Sequence, residues 1–156
     1  MHISPHTGVI MVVAALALLP ASANRASAHD NHASYAAGEP GDPKKPSREI
    51  VVEMGDRYYK PKAIEVKRGE QVRFVIRNDG HEDHEFLLDT TAANLKHAEM
   101  MKRNPGMEHA EPNGIQLAPS KSGEIIWKFS KAGTFEFSCL IEGHREDGMT
   151  GIVVVK

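Results

Sequence analysis

A thiol, an imidazole and a thioether lie within one short stretch near the C-terminus, Cys139-Leu140-Ile141-Glu142-Gly143-His144-Arg145-Glu146-Asp147-Gly148-Met149. The spacing is Cys-x4-His-x4-Met, compact enough for a single loop to bring all three side chains together. Thiolate and thioether are soft ligands, imidazole is borderline, and with a second histidine supplied from elsewhere such a set suits copper cycling between Cu(I) and Cu(II). The chemistry would be one-electron redox at the metal, with no bond-making catalysis.

The second histidine is available in Asn78-Asp79-Gly80-His81-Glu82-Asp83-His84-Glu85-Phe86. His84 is favoured over His81, because His-Glu-Phe leads back into an apolar run whereas His81 sits in a turn. Other chemistries fit less well. Structural zinc takes four Cys or His ligands and makes poor use of methionine. A dinuclear copper centre needs two cysteines, and this chain has one. A cysteine protease pairs its nucleophile with a histidine base in a cleft, and Cys139 with a methionine ten residues on has the simpler reading as a ligand. The plain alternative is a buried structural thiol.

These ligands need a rigid frame, and period-2 patterning supplies one. Val72, Phe74 and Ile76 share a face opposite Arg73 and Arg77; Ile125, Trp127 and Phe129 alternate likewise. Ile50–Met54, Ile64 with Val66, and Ile152–Val155 read as further strands, with turns at Gly69 and at Lys131-Ala132-Gly133. Short alternating segments without a βαβ rhythm predict an all-β antiparallel sandwich. Phe135, Phe137 and Cys139 have the same parity, so the sulfur should face the interior. The exception is Thr91 to Arg103, where Leu95, Met100 and Met101 predict a short helical insertion ended by Asn104-Pro105-Gly106.

The chain has 156 residues, 40% of them hydrophobic, which suits one domain. A formal charge of -2 gives no basic face for nucleic acid. The apolar run Val9 to Leu19 is short for a bilayer span and suits a secretory leader, residues 1–28, with cleavage after Ala23 or Ala28. An exported, periplasmic protein with one cysteine cannot form an internal disulfide, and metal ligation would protect the thiol. Residues 29–47, rich in Pro and carrying His29 and His32, read as a flexible tether before a domain spanning 48–156.

From Tyr59 to Lys156 the sequence resembles the cupredoxins, the type 1 blue-copper family. The matching residues are Pro61-x-x-Ile64-x-Val66-x-x-Gly69, Val72-x-Phe74, Asn78, His84-Glu85-Phe86 and Gly133-Thr134-Phe135-x-Phe137-x-Cys139-x4-His144-x4-Met149, followed by the valine-rich end. The resemblance implies a Greek-key sandwich. It implies one copper held by His84, Cys139 and His144 in a plane with Met149 as distant axial ligand. It also implies that His144 is a partly exposed electron port, where a redox partner protein would dock on a monomer.

Two departures stand out. Glu85 places a carboxylate beside the ligand, where it would favour Cu(II) or itself ligate, and Glu142, Arg145, Glu146 and Asp147 give the His144 loop a charged surround. His97, Met100, Met101, Met107 and His109 cluster in the insertion; with His29 and His32 they are candidates for additional, weakly bound copper, the alternative being methionines packed on the core. With these departures the chain is similar to periplasmic copper-tolerance (CopI-like) cupredoxins. The expected role is copper tolerance, with a diffusible electron carrier and a copper-free structural module as alternatives.

Overall fold

The computed structural model describes residues 2, 35–46, 48–104 and 111–156. Its elements in chain order are β1 (Glu39–Pro40), β2 (Arg48–Gly55), β3 (Tyr58–Lys60), β4 (Ala63–Val66), β5 (Gln71–Asn78), β6 (His84–Asp89), α1 (Thr91–Arg103), β7 (Gly114–Leu117), β8 (Ser122–Lys128), β9 (Gly133–Ser138) and β10 (Thr150–Val155). The strands form two five-stranded sheets, ordered β1-β8-β5-β2-β3 and β4-β10-β9-β6-β7. Their inner faces meet as the alternation predicts. Val72, Phe74, Ile76, Trp127 and Val52 from one sheet pack with Phe86, Leu88, Phe137 and Val153 from the other in one core. Phe74 and Phe86 bridge the layers with ring centroids 5.7 Å apart.

The sandwich is not purely antiparallel. β2 runs parallel to β5 and β4 runs parallel to β10. Parallel neighbours need a crossover, and here β3 and β4 lie between β2 and β5 in the chain, one strand in each sheet. Alternation of apolar residues is the same in either direction, so the sequence pattern carries no strand polarity.

Residues 35–46 also depart from expectation. Rather than a flexible tether, they lie along the first sheet: β1 pairs with β8, Ala37 is fully buried, and the Tyr35 ring meets Trp127 edge-on at 5.3 Å. The folded unit therefore includes this segment and does not begin near Arg48. A Pro-rich run can serve as a short edge strand because its missing N–H groups face away from the ladder. The expected leader, His29 and His32 lie outside the described residues.

The insertion forms a helix with the expected bounds but another inward face. Thr90 caps it, its hydroxyl accepting the N–H of Ala93 at 3.1 Å. The residue it buries is Asn94, while Leu95 and Met100 are each 46% exposed. Asn94 Nδ2 donates to Ser138 Oγ at 3.1 Å, and Thr91 Oγ1 to Glu136 Oε2 at 3.0 Å. Glu136 also takes Arg145 at 2.9 Å. β9 is thus buried on both faces, apolar on the core side and hydrogen-bonded beneath α1. Met100 and Met101 are not core residues: Met100 is exposed and Met101 half-buried.

Candidate metal centre

Two loops at one end of the sandwich carry the ligand candidates. The first is the β5–β6 turn. Asn78, buried at the end of β5, donates through Nδ2 to the carbonyls of Glu82 and Leu117, each at 2.8 Å, and its Oδ1 accepts the Gly80 N–H at 2.9 Å. That clamp returns the chain into β6 at His84, which lies opposite Leu117 in the ladder. Tyr59, buried in the core, donates its hydroxyl to the carbonyl of Glu85 and so holds the same strand start from the other sheet.

The second loop leaves β9 and closes on itself. His144 N–H donates to the Ile141 carbonyl and Met149 N–H to the His144 carbonyl, both at 3.0 Å. Cys139 N–H reaches the Met149 carbonyl at 3.2 Å. Gly143 turns the chain at φ 84°, a conformation in which a side chain would be strained. The four expected ligand residues, His84, Cys139, His144 and Met149, are all buried, and Cys139 follows Phe135 and Phe137 into the core as parity requires.

Three donors converge. His84 Nδ1 is 3.3 Å from His144 Nδ1, and Cys139 Sγ is 3.4 Å from His144 Nδ1. Ligand atoms of His84, Cys139 and His144 all lie within 4.8 Å of one another. Two imidazoles and a thiol facing one point, without a carboxylate among them, suit copper and not a hard cation. The Glu85 N–H points at the Cys139 sulfur at 3.4 Å, a donor that favours the thiolate. Burial works the other way and pushes the thiol up to about 11, against the hydrogen bonds from the Glu85 and Ile141 backbone. Burial also lowers His144, with the Arg57 and His84 charges adding to it.

The alternatives at this site divide clearly. His81 is 94% exposed and points to Asp56, not to the donors. Glu85 does not join the donor cluster; its carboxylate accepts the Leu140 N–H at 3.1 Å. His144 is less exposed than the resemblance implied, at 6%. Its Nε2 faces Glu82 Oε2 at 3.5 Å, and Arg57 ties Glu82 to Asp147 at 2.6 and 2.8 Å, so a charged cluster stands on the ring's outer side. His97 and Met100, one helical turn apart, line the same surface cleft, away from the donor cluster; Met107 and His109 lie outside the described residues. Asp56, whose Oδ1 is 3.0 Å from His84 Nε2, is a site residue that sequence reasoning missed. Hydrogen bonds from His81, then His84, hold its carboxyl well below the usual carboxylate range.

A cupredoxin-like domain model matches residues 8–155. The chain belongs to the cupredoxin-like family. This cupredoxin is 50% identical over 132 residues to the copper-resistant cuproprotein CopI of Rubrivivax gelatinosus, covering 84% of this chain and 79% of that one. It is 37% identical to the CopI of Pseudomonas aeruginosa, covering 89% and 91%. Among solved structures, reduced auracyanin from Roseiflexus castenholzii superposes with a TM-score of 0.61 at 20% identity, covering 72% of this cupredoxin and 99% of auracyanin. That likeness is one of fold.

Proposed function

We propose that this cupredoxin is an exported copper protein of the copper-tolerance system, holding one copper through His84, Cys139 and His144 with Met149 as the weak fourth ligand. The convergence of two Nδ1 atoms and one sulfur within 4.8 Å in a buried pocket carries the reading. Copper, when bound, supplies a one-electron Cu(I)/Cu(II) couple. The chain's residues do the rest. His84 and His144 present Nδ1, the Cys139 thiol gives up its proton, and the Glu85 N–H stabilises the sulfur's charge. Phe86, Phe137 and the other core residues keep water from the inner side.

Tolerance is favoured over the carrier role by two observations. The relatives at 50% and 37% identity are named copper-resistant cuproproteins. A carrier docks a partner at an accessible ligand edge, whereas His144 is buried and its outer nitrogen faces Glu82. Export belongs to this reading through the leader-like run Val9 to Leu19; among the described residues no helix is long and apolar enough to cross a membrane. Additional copper at His97 and Met100 is a subsidiary part of the proposal, supported by their shared cleft.

The test is genetic. A deletion strain should grow normally without added copper and poorly with excess copper, and the wild-type gene but not Cys139→Ser should restore growth. A defect that is independent of copper supply would favour the carrier, and normal growth under copper stress would reject the tolerance role.

A further inference from the structure

The turn between β2 and β3 sets Asp56 against the outer side of the metal centre. Asp56 Oδ1 lies 3.0 Å from His84 Nε2 and accepts the backbone N–H of His81 at 2.9 Å; Oδ2 is 3.0 Å from His81 Nδ1. The carboxylate is therefore held in place by contacts besides the one to His84. His84 itself is fully buried, and its two nitrogens face different groups: Nδ1 the other donors, Nε2 the carboxylate. An ionised carboxylate only accepts hydrogen bonds, so the proton of a neutral His84 ring belongs on Nε2 and the lone pair on Nδ1.

We infer that Asp56 is a positioning residue that fixes His84 in the Nε2–H tautomer and aims Nδ1 at the copper position before the metal arrives. This rests on the copper site proposed above. Glycine at position 80 makes the pair possible: a Cβ there would lie 2.7 Å from His84 Nε2 and closer still to Asp56 Oδ1. The neighbouring residue extends the device. Arg57 pairs with Glu82 and Asp147, and Glu82 faces Nε2 of His144. One turn thus reaches the outer nitrogen of one histidine directly and that of the other through Glu82. An anionic acceptor behind a ligand imidazole raises its basicity, which favours the more highly charged Cu(II) and so lowers the reduction potential of the site.

Two substitutions separate position from charge. In Asp56→Asn the amide oxygen still accepts from His84; in Asp56→Ala nothing does. Asp56 sits in a turn with its side chain 38% exposed, so both variants should fold, and their amide NMR spectra would show it. In the ¹⁵N-labelled apo-protein, His84 should be Nε2–H in wild type and Asp56→Asn, and a tautomer mixture in Asp56→Ala. Competition with a Cu(II) chelator should show Asp56→Ala binding about 10–100-fold more weakly. Asp56→Asn should keep most of the affinity but have a higher reduction potential. Gly80→Ala, with Asp56 and His84 both intact, should shift the tautomer as Asp56→Ala does. An unchanged tautomer and an affinity within about twofold of wild type in Asp56→Ala would overturn the inference. A wild-type protein that binds no Cu(II) would sink the copper reading instead, while the apo-protein tautomer would still report on Asp56.

Discussion

The Glu85 carboxylate accepts the backbone N–H of Leu140 at 3.1 Å, while the N–H of Glu85 points at Cys139 Sγ at 3.4 Å. The residue after one ligand therefore pins the residue after another, and strand β6 is joined to the C-terminal loop beside the metal position. A hydrogen bond to a charged group contributes about 1.5–3 kcal/mol, so Glu85→Ala should lower apo-protein stability by about that amount in urea unfolding. Glu85→Gln retains an acceptor and should cost less, while removing a negative charge near the copper and raising its reduction potential. Equal stability of the alanine variant and wild type would show that this link contributes nothing.

Copper uptake should release the Cys139 proton. Burial raises the folded thiol from its ordinary value of 9.0 to about 11, so the apo-protein carries it protonated at neutral pH. Metal ligation needs the thiolate, and the affinity should rise about tenfold per pH unit from this group between roughly pH 7 and 9. A pH-independent affinity would contradict a Cys139 ligand.

The same shifts set the stability profile of the apo-protein. A raised thiol stabilises the fold below 9.0, and that contribution is lost as pH climbs towards about 11. His144 is shifted the opposite way, so its contribution is present above its ordinary 6.5 and is lost as pH falls through the lowered folded value. Melting temperatures measured across pH should therefore be highest between these limits. His144→Gln should flatten the acid side.

Much of the site was legible because strand parity is local. Phe135, Phe137 and Cys139 had to share a face, and His84 rather than His81 had to enter a strand; both follow from residues a few positions apart. Asp56 was not legible, since it stands 28 residues from His84 and belongs to no periodic pattern. The parallel pairs β2/β5 and β4/β10 were hidden because alternation is blind to strand direction. The packing of residues 35–46 was missed because it rests on one small buried residue, Ala37, and on the close approach of Gly38 to Trp127, which a Pro-rich composition does not reveal. The burial of Glu136 and Ser138 beneath α1 depends on side-chain hydrogen bonds across 45 and 44 residues.

Removal of residues 1–46 should expose Trp127. Tyr35 packs edge-on against its ring, Gly38 lies against its Nε1, and Glu39 adds an ion pair to Lys128 at 3.0 Å. Losing that cover should cost about 2–4 kcal/mol and shift tryptophan fluorescence to the red, whereas removal of residues 1–34 should leave Trp127 covered. Identical unfolding midpoints for the two truncations would contradict a packed segment.

The cleft holding His97 and Met100 makes a separate forecast. Under anaerobic conditions the protein should bind more than one Cu(I), and His97→Ala with Met100→Ala should remove one equivalent without altering the Cys139 site. A wild-type stoichiometry of one would eliminate the accessory site.

The central claim is a copper–thiolate bond at Cys139 with His84 and His144 beside it. Visible absorption of the Cu(II)-loaded protein tests it most directly. A strong charge-transfer band, bleached by a one-electron reductant and absent in Cys139→Ser, is the expected result. A colourless copper-loaded wild type, or a band that survives in Cys139→Ser, would contradict it.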